Sequence, residues 1–194
     1  MVYLYLFESD KLVEKKLNNE ILDGGDELFS HPAVIEFYNN VMNDWKSDGK
    51  PIALLLGCTA DKPYSNSFMH KKVIGMFQKH EFDDMIQQYI IGEPLVVCPR
   101  EWEKKYPAAH YDFPPKRLTE EGVKVFEDRL KNFFKKFGDK YKKFLVFAPN
   151  HHKKIILAAS EDLTNISIVP YNLYKFPDLL SAIQESIKEV ESCK

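Results

Sequence analysis

The stretch IALLLGCTADKPYSNSFMH, residues 52 to 70, decides the fold. Its five leading apolar residues predict a strand covered on both faces, because a strand with one wet face would alternate apolar and polar side chains. The run then enters a loop that holds a thiol, a lysine, a tyrosine, two serines and a histidine. Loops at strand ends present side chains that a sheet holds still, so this loop is a place for chemistry or ligand binding. Helical spacing follows in SFMHKKVIGMFQKH through Met69, Val73, Met76 and Phe77.

Outward from this unit the alternation repeats. VYLYLF (2–7) reads as a strand, and HPAVIEFYNNVMNDWK as a helix with Pro32 at its start and Val34, Phe37, Tyr38, Val41 and Trp45 on one stripe. MIQQYII (85–91) and PLVVC (94–98) are one bent strand or two short ones. In LTEEGVKVFEDRLKNFFKKFGD, Thr119 is placed to cap a helix and Glu120 and Glu121 suit its positive end. Val123, Phe126, Leu130, Phe133 and Phe137 form its buried stripe, and Gly138 stops it. KFLVFAP (143–149) and ISIVP (166–170) read as strands, and FPDLLSAIQESIKEVE as a terminal helix. Strands alternating with crossover helices predict one α/β domain over residues 1–194, with a mainly parallel sheet flanked by helices on both faces. Ligands on such sheets bind beyond the carboxyl ends of the strands. The loops after IALLL, PLVVC, KFLVFA and ISIV are therefore expected to converge.

At 194 residues, with 44% hydrophobic and 29% charged residues, the composition is that of an ordinary globular domain. No apolar run approaches the roughly 20 residues of a membrane span, and the amino end lacks the pattern of a secretion signal, so a cytoplasmic protein without membrane contact is expected. Cys58, Cys98 and Cys193 form no CxxC pair and fit a reducing compartment. His70 and His110 each follow a cysteine by twelve positions, a poor spacing for zinc, so no metal is expected. No Walker loop, GxGxxG or G-x-S-x-G elbow is present, and no cofactor is expected. The net charge of −2 is unevenly spread: residues 131 to 154 hold eight lysines against Asp139 alone. That segment is either a solvated flank or a surface for a polyanion, with Lys135, Lys136, Lys142 and Lys143 as its RNA-binding candidates.

Several side chains carry both a chemical and a structural reading. Cys58 is a candidate nucleophile, with Lys62 or the next helix start able to favour the thiolate, or a small core residue. Arg100 and Glu101 are a helix-start ion pair, or a phosphate- and amine-binding pair. Tyr64, Tyr106, Tyr111 and Trp102 offer faces for an extruded base or pack in the core. Asp112 can accept hydrogen bonds from the N1 and exocyclic amino donors of a guanine-like base. His151 and His152 follow a strand and either reach the same edge or sit exposed.

Two motifs resemble those of the archaeosine synthase family. Cys58, Lys62, Pro63, Tyr64, Ser67 and His70 match a C-x3-KPY-x2-S-x2-H signature, and PREWEKKYPAAHYDFP (99–114) resembles that family's PRE-LE--YPAAHYD-P segment. The similarity covers about residues 30–150. Gly57 stands where the family usually has proline, and PPKRL replaces a PVTG-like turn. The resemblance implies a uracil-DNA glycosylase-like fold with a base pocket at the strand ends. It also implies a transferase of tRNA modification that adds an amine, such as the side-chain amine of lysine, to the nitrile of 7-cyano-7-deazaguanine in tRNA. Cys58, Lys62, His70 and His110 would handle the reaction, and Tyr64, Ser67, Arg100, Glu101, Tyr111 and Asp112 would bind substrate. A transglycosylase-like or PUA-containing subunit and a radical-SAM lyase are the implied partners. A non-catalytic base- or tRNA-binding subunit of a split synthase, and a glycosylase-like hydrolase, are the alternative readings.

Overall fold

In a computed structural model that describes residues 20–47 and 49–192, the chain runs β1 (Leu22–Asp23), α1 (Pro32–Asn43), β2 (Ile52–Gly57), α2 (Phe68–His80), β3 (Ile86–Gly92), β4 (Val96–Pro99), β5 (Tyr111–Asp112), α3 (Glu120–Phe137), β6 (Lys143–Phe147), α4 (Asn150–Ala159), β7 (Ile166–Ile168) and α5 (Phe176–Ser192). The expected strand at 2–7 and Cys193 lie outside the described residues. Five strands form one sheet in the order β4-β3-β2-β6-β7, parallel except for the β3–β4 pair. β1 and β5 form a separate parallel ribbon, with Leu22 opposite Tyr111.

Every residue of β2 is buried, as its unbroken apolar run requires. Successive strand side chains point to opposite faces. Ala53 and Leu55 accordingly join the core under α1, α3 and α4, while Ile52, Leu54 and Leu56 join the core under α2 and α5. The clearest helix of the sequence is α3. Thr119 Oγ1 accepts from the Gly122 N–H, and Gly138 N–H closes the far end on the Phe134 carbonyl. Phe126, Leu130, Phe133 and Phe137 are fully buried, and Phe134 widens the stripe beyond the expected one. Val123 is only partly buried at its edge.

Of the two readings of residues 85–98, two short strands hold, but the direction of the second, and with it the expected convergence of the loop after PLVVC, differs from expectation. Residues 85–98 are a hairpin: β4 returns antiparallel to β3, Gly92 faces Val96, and Glu93–Leu95 make the turn. Val96 holds φ 68°, a region that β-branched residues rarely adopt. Because β4 runs backwards, the chain leaving Pro99 heads away from the carboxyl edge and returns there only at β5. The supposed loop PNHHKK is the first turn of α4, whose Ile155, Ile156 and Ala159 pack into the core. In α2, Met69 and Met76 are only partly buried, and His70 takes an interior place beside Val73 and Phe77.

Removing a ring from this core leaves a cavity that its neighbours fill only in part. Phe133→Ala is expected to lower stability by about 3–5 kcal/mol in urea unfolding. Val125→Ala, on the outer side of the same helix, should change it by less than about 0.5 kcal/mol.

Candidate active site

The three neighbouring strands β3, β2 and β6 end at one edge, and each delivers one residue. Glu93 follows β3, Cys58 follows β2, and His152 sits in the first turn of α4 beyond β6. His152 Nε2 lies 2.9 Å from Glu93 Oε2 and 3.9 Å from Cys58 Sγ, and the sulfur lies 4.0 Å from the same carboxylate oxygen. Two glycines permit this approach. A Cβ on Gly92 would stand 2.3 Å from Cys58 Sγ, and one on Gly57 would stand 2.3 Å from Pro149 Cδ.

Glu93 and His152 are each 1% exposed. Burial pushes the Glu93 carboxyl up, but the hydrogen bond and charge of His152 outweigh it and hold the group below its ordinary range. Burial likewise pushes His152 down, and the facing Cys58 and Glu93 reverse the direction and raise it. The pair is therefore carboxylate and imidazolium. Both acceptors face Nε2, so Glu93 does not act as the orienting carboxylate of a triad, which binds Nδ1. His152 Nδ1 and Glu93 Oε1 are buried with no hydrogen-bond partner among the described residues.

A pocket of about 370 Å³ opens in front of Cys58 and His152, with Lys62, Tyr111, Asp112 and His151 in its wall. Lys62 donates to the Thr59 carbonyl at 2.5 Å, and its Nζ sits 4.3 Å from the centre of the Tyr111 ring. Burial lowers the pKa of this ammonium, against the opposing charges around it. Asp112 is exposed at the mouth. Of the sequence candidates, Cys58, Lys62, Tyr111 and Asp112 thus share one cavity, although Asp112 comes from the β1–β5 ribbon and not from a strand beside β2. Tyr64 stands behind this wall, fully buried, with its hydroxyl 2.7 Å from that of Tyr111.

The other candidates are placed elsewhere. His70 lies under the loop, its Nε2 3.1 Å from the Gly57 carbonyl and its Nδ1 2.6 Å from the Arg100 guanidinium. Burial first, and then Arg100, press its pKa down to about 3. Nδ1 thus accepts from Arg100 and Nε2–H donates to Gly57, leaving no nitrogen for a substrate. Arg100 also binds Gln88 Oε1 at 3.1 Å and Glu103 at 2.8 Å, and Glu103 accepts the Ser65 N–H at 3.0 Å. Glu101 contacts Gln87 and Lys50, drawn off by the reversed direction of β4. Ser67 is the N-cap of α2, accepting from the His70 N–H. His110 faces Tyr106, outside the pocket wall, and its carbonyl accepts the Leu22 N–H. Trp102 packs on Trp45 and Phe37.

The lysine candidates lie at the opposite end of the sheet. Lys143 faces Ile52 at the start of β2, and the Lys142 N–H bonds the Pro51 carbonyl. At about 3.3 Å per residue, this edge is roughly 17 Å from Gly57. Lys135 and Lys136 close α3 just before that edge.

The sequence does not single out Glu93, and it leaves His152 only as a histidine that reaches the strand edge or sits exposed, because the two stand 35 and 94 residues from Cys58. The available signals were a carboxylate breaking the apolar run IIGEPLVVC and a histidine just past a strand. Cys58, Glu93 and His152 are also a donor set that can hold a metal. Tetrahedral zinc would want these donors about 3.4–3.6 Å apart. The group fits if the Glu93–His152 hydrogen bond opens.

Residues 34–177 match the family model described as "Domain of unknown function (DUF5591)", a span that runs past the expected core. The chain is 33% identical over 141 residues to archaeosine synthase subunit alpha of Thermoplasma acidophilum and 36% identical over 94 residues to that of Methanosarcina acetivorans. The chain belongs to the DUF5591, archaeosine synthase family. These matches cover 72% and 48% of the DUF5591 chain but 25% and 15% of the relatives, so it spans a quarter or less of their length. Archaeosine synthase of Methanocaldococcus jannaschii is 31% identical over 108 residues, 54% of this chain and 18% of that protein. A crystal structure titled as that of AF0587, a protein of unknown function, shares the fold at TM-score 0.56 and 22% identity, over 78% of this chain and 49% of the other. No described helix is long and apolar enough to cross a membrane.

His70 should make this family member acid-sensitive. Its folded pKa of about 3 lies below the ordinary 6.5, so the unfolded chain takes up the proton first. The stabilisation is complete above about pH 6.5 and drains as pH falls toward 3, by up to about 1.4 kcal/mol per pH unit. Urea midpoints measured from pH 7 to 4 should fall in the native chain and flatten in His70→Gln. Equal slopes would show that His70 does not carry the effect.

Proposed function

We propose that this chain carries the pocket in which an amine is added to the nitrile of a 7-cyano-7-deazaguanine base in tRNA, as a transferase of archaeosine formation. The observation that carries the reading is Cys58 at the pocket wall with the imidazolium of His152 buried behind it. A nitrile carbon is a weak electrophile, and attack on it succeeds when a proton reaches the nitrogen as the new bond forms. In this reading the Cys58 thiolate adds to the nitrile carbon. One C–N π pair takes the proton from His152 Nε2, and a thioimidate results.

The incoming neutral amine then attacks the same carbon. The C–S bond breaks, sulfur leaves as thiolate, and the proton lost by the amine returns to His152, so the product is an amidine. Glu93 keeps His152 charged between turnovers. Lys62, whose pKa burial lowers, is the second group able to take a proton from an amine that arrives as ammonium. Asp112 at the mouth accepts the donors of the deazaguanine edge. The side-chain amine of lysine is the proposed amine, and a uracil-DNA glycosylase-like ancestry of the fold belongs to the same proposal. A partner carrying transglycosylase-like or PUA regions, and a radical-SAM lyase, are proposed alongside it. The names of the relatives called subunit alpha support a partner.

The chain, with tRNA bearing the nitrile base and free lysine, should yield the lysine adduct in nucleoside mass spectrometry. Without lysine, intact-protein mass after nuclease and phosphatase digestion of the bound tRNA should show the base nucleoside joined to Cys58. Cys58→Ser should abolish that adduct, and Glu93→Gln should lower turnover by about 10²-fold. Full turnover by Cys58→Ala would overturn the covalent role.

Gly92→Ala tests the geometry independently of charge. Its methyl would occupy the space of the Cys58 sulfur. Turnover should fall at least about tenfold, while circular dichroism remains that of a folded chain. Unchanged turnover would show that the sulfur position does not matter.

A further inference from the structure

The helix that leaves the pocket loop carries an unbalanced charge. α2 starts at Phe68, directly after Ser67, and over 13 residues contains Lys71, Lys72 and Lys79 but no aspartate or glutamate. All three lysines are exposed. None enters an ion pair among the described residues, whereas Lys143 pairs with Glu189 at 3.2 Å and Lys175 with Asp178 at 2.8 Å. No acidic side chain on α2 offsets its three lysines.

These lysines edge a groove. A cavity of about 530 Å³ runs between α2 and α5, with Met76, Phe176 and Leu180 in its lining. Gly75 leaves its centre open, since a Cβ there would meet nothing within 4 Å. Residues 71, 75 and 79 repeat every four positions and share one helix face. From Lys71 to Lys79 the helix rises about 12 Å, longer than a single phosphate and suited to a run of them. Beside the groove entrance, Phe68 is 56% exposed with Lys72 Nζ 5.4 Å from its ring. Uncompensated cations, an apolar floor and an open aromatic face are the elements with which proteins track a nucleic acid strand.

We propose that the groove between α2 and α5 binds the sugar-phosphate backbone of the RNA whose base enters the Cys58 pocket. This rests on the reading of the pocket as a tRNA-base site. The loop from Cys58 to Ser67 joins the two surfaces, so a strand gripped by α2 leaves its neighbouring nucleotide at the pocket edge. Lys71 and Lys72 stand in the first turns of α2, nearest that loop, whereas Lys79 lies toward the edge of the sheet where β2 and β3 begin; of the lysines at that edge, Lys143 is already paired with Glu189.

The test measures tRNA binding by fluorescence anisotropy across salt concentrations. Lys71→Glu/Lys72→Glu/Lys79→Glu is expected to weaken binding about tenfold or more and to make the log–log salt dependence shallower by about 2. Lys135→Glu/Lys136→Glu/Lys142→Glu makes the same change in net charge and should alter affinity less than about twofold. Gly75→Glu, a single change on an exposed face, should weaken binding in the same direction as the α2 triple. Turnover of the free nitrile nucleoside should be unchanged in the α2 triple while turnover of tRNA falls. If neither substrate reacts in the native chain, the pocket reading fails, and the binding measurements still decide the groove. Unchanged tRNA affinity and salt slope in the α2 triple would overturn the proposal. So would loss of a protein partner with RNA affinity intact.

Discussion

The buried guanidinium of Arg100 sets the constraint on which the site depends. A charge taken out of water is costly unless its donors are all engaged. Arg100 meets that demand with Gln88 on β3, Glu103 beyond β4 and His70 on α2. His70 passes the constraint on through its bond to the Gly57 carbonyl, and Glu103 does so through the Ser65 N–H. One cation therefore fastens the exit of β4, the start of α2 and both ends of the loop that begins at Cys58. The Cys58 N–H also bonds the Ile91 carbonyl at 2.9 Å, so the β3 ladder and this clamp together hold the sulfur 2.3 Å from where a Gly92 Cβ would stand.

That network changes the meaning of the motifs. Ser67, His70 and Arg100 look like proton carriers and substrate ligands when read as letters. In the folded chain they are a helix cap, a neutral linker and a buried clamp. The ionisable chemistry is instead assembled from Cys58, Glu93 and His152, which enter from the ends of three adjacent parallel strands. A carboxylate and an imidazolium buried together hold each other charged, and the Cys58 sulfur beside them raises the histidine further. Such a cluster has little reason to exist as packing, since apolar residues of similar size would fill the same space at less cost.

Continuity between pocket and groove follows from the same loop. α2 is anchored at its first turn by Ser67 and His70, inside the core through Val73 and Phe77, and against α5 on the outside. Its exposed lysines therefore stand on a rigid element, a better support for a recognition surface than a mobile loop. The family match spans this helix and the pocket together, whereas the fold neighbour at 22% identity informs the architecture alone.

Local pattern was enough for much of this. The unbroken run Ile52–Leu56 had to be a strand buried on both faces, and Thr119 with Gly138 bounded α3 because caps and apolar period act within a few residues. The rule that ligands sit beyond the carboxyl ends of parallel strands placed Cys58 and Lys62 at the cavity, whereas Tyr111 and Asp112 reach it through the separate β1–β5 ribbon. Direction was not legible. Nothing in GEPLVVC says that β4 must reverse, and that reversal carried Arg100 and Glu101 away from the mouth. The partnership of Glu93 with His152 spans 59 residues and exists because β3, β2 and β6 happen to lie side by side. Periodicity and capping are properties of neighbours along the chain. Strand order, burial and the charge state of an ion pair are properties of neighbours in space, and only the packed sheet could decide them.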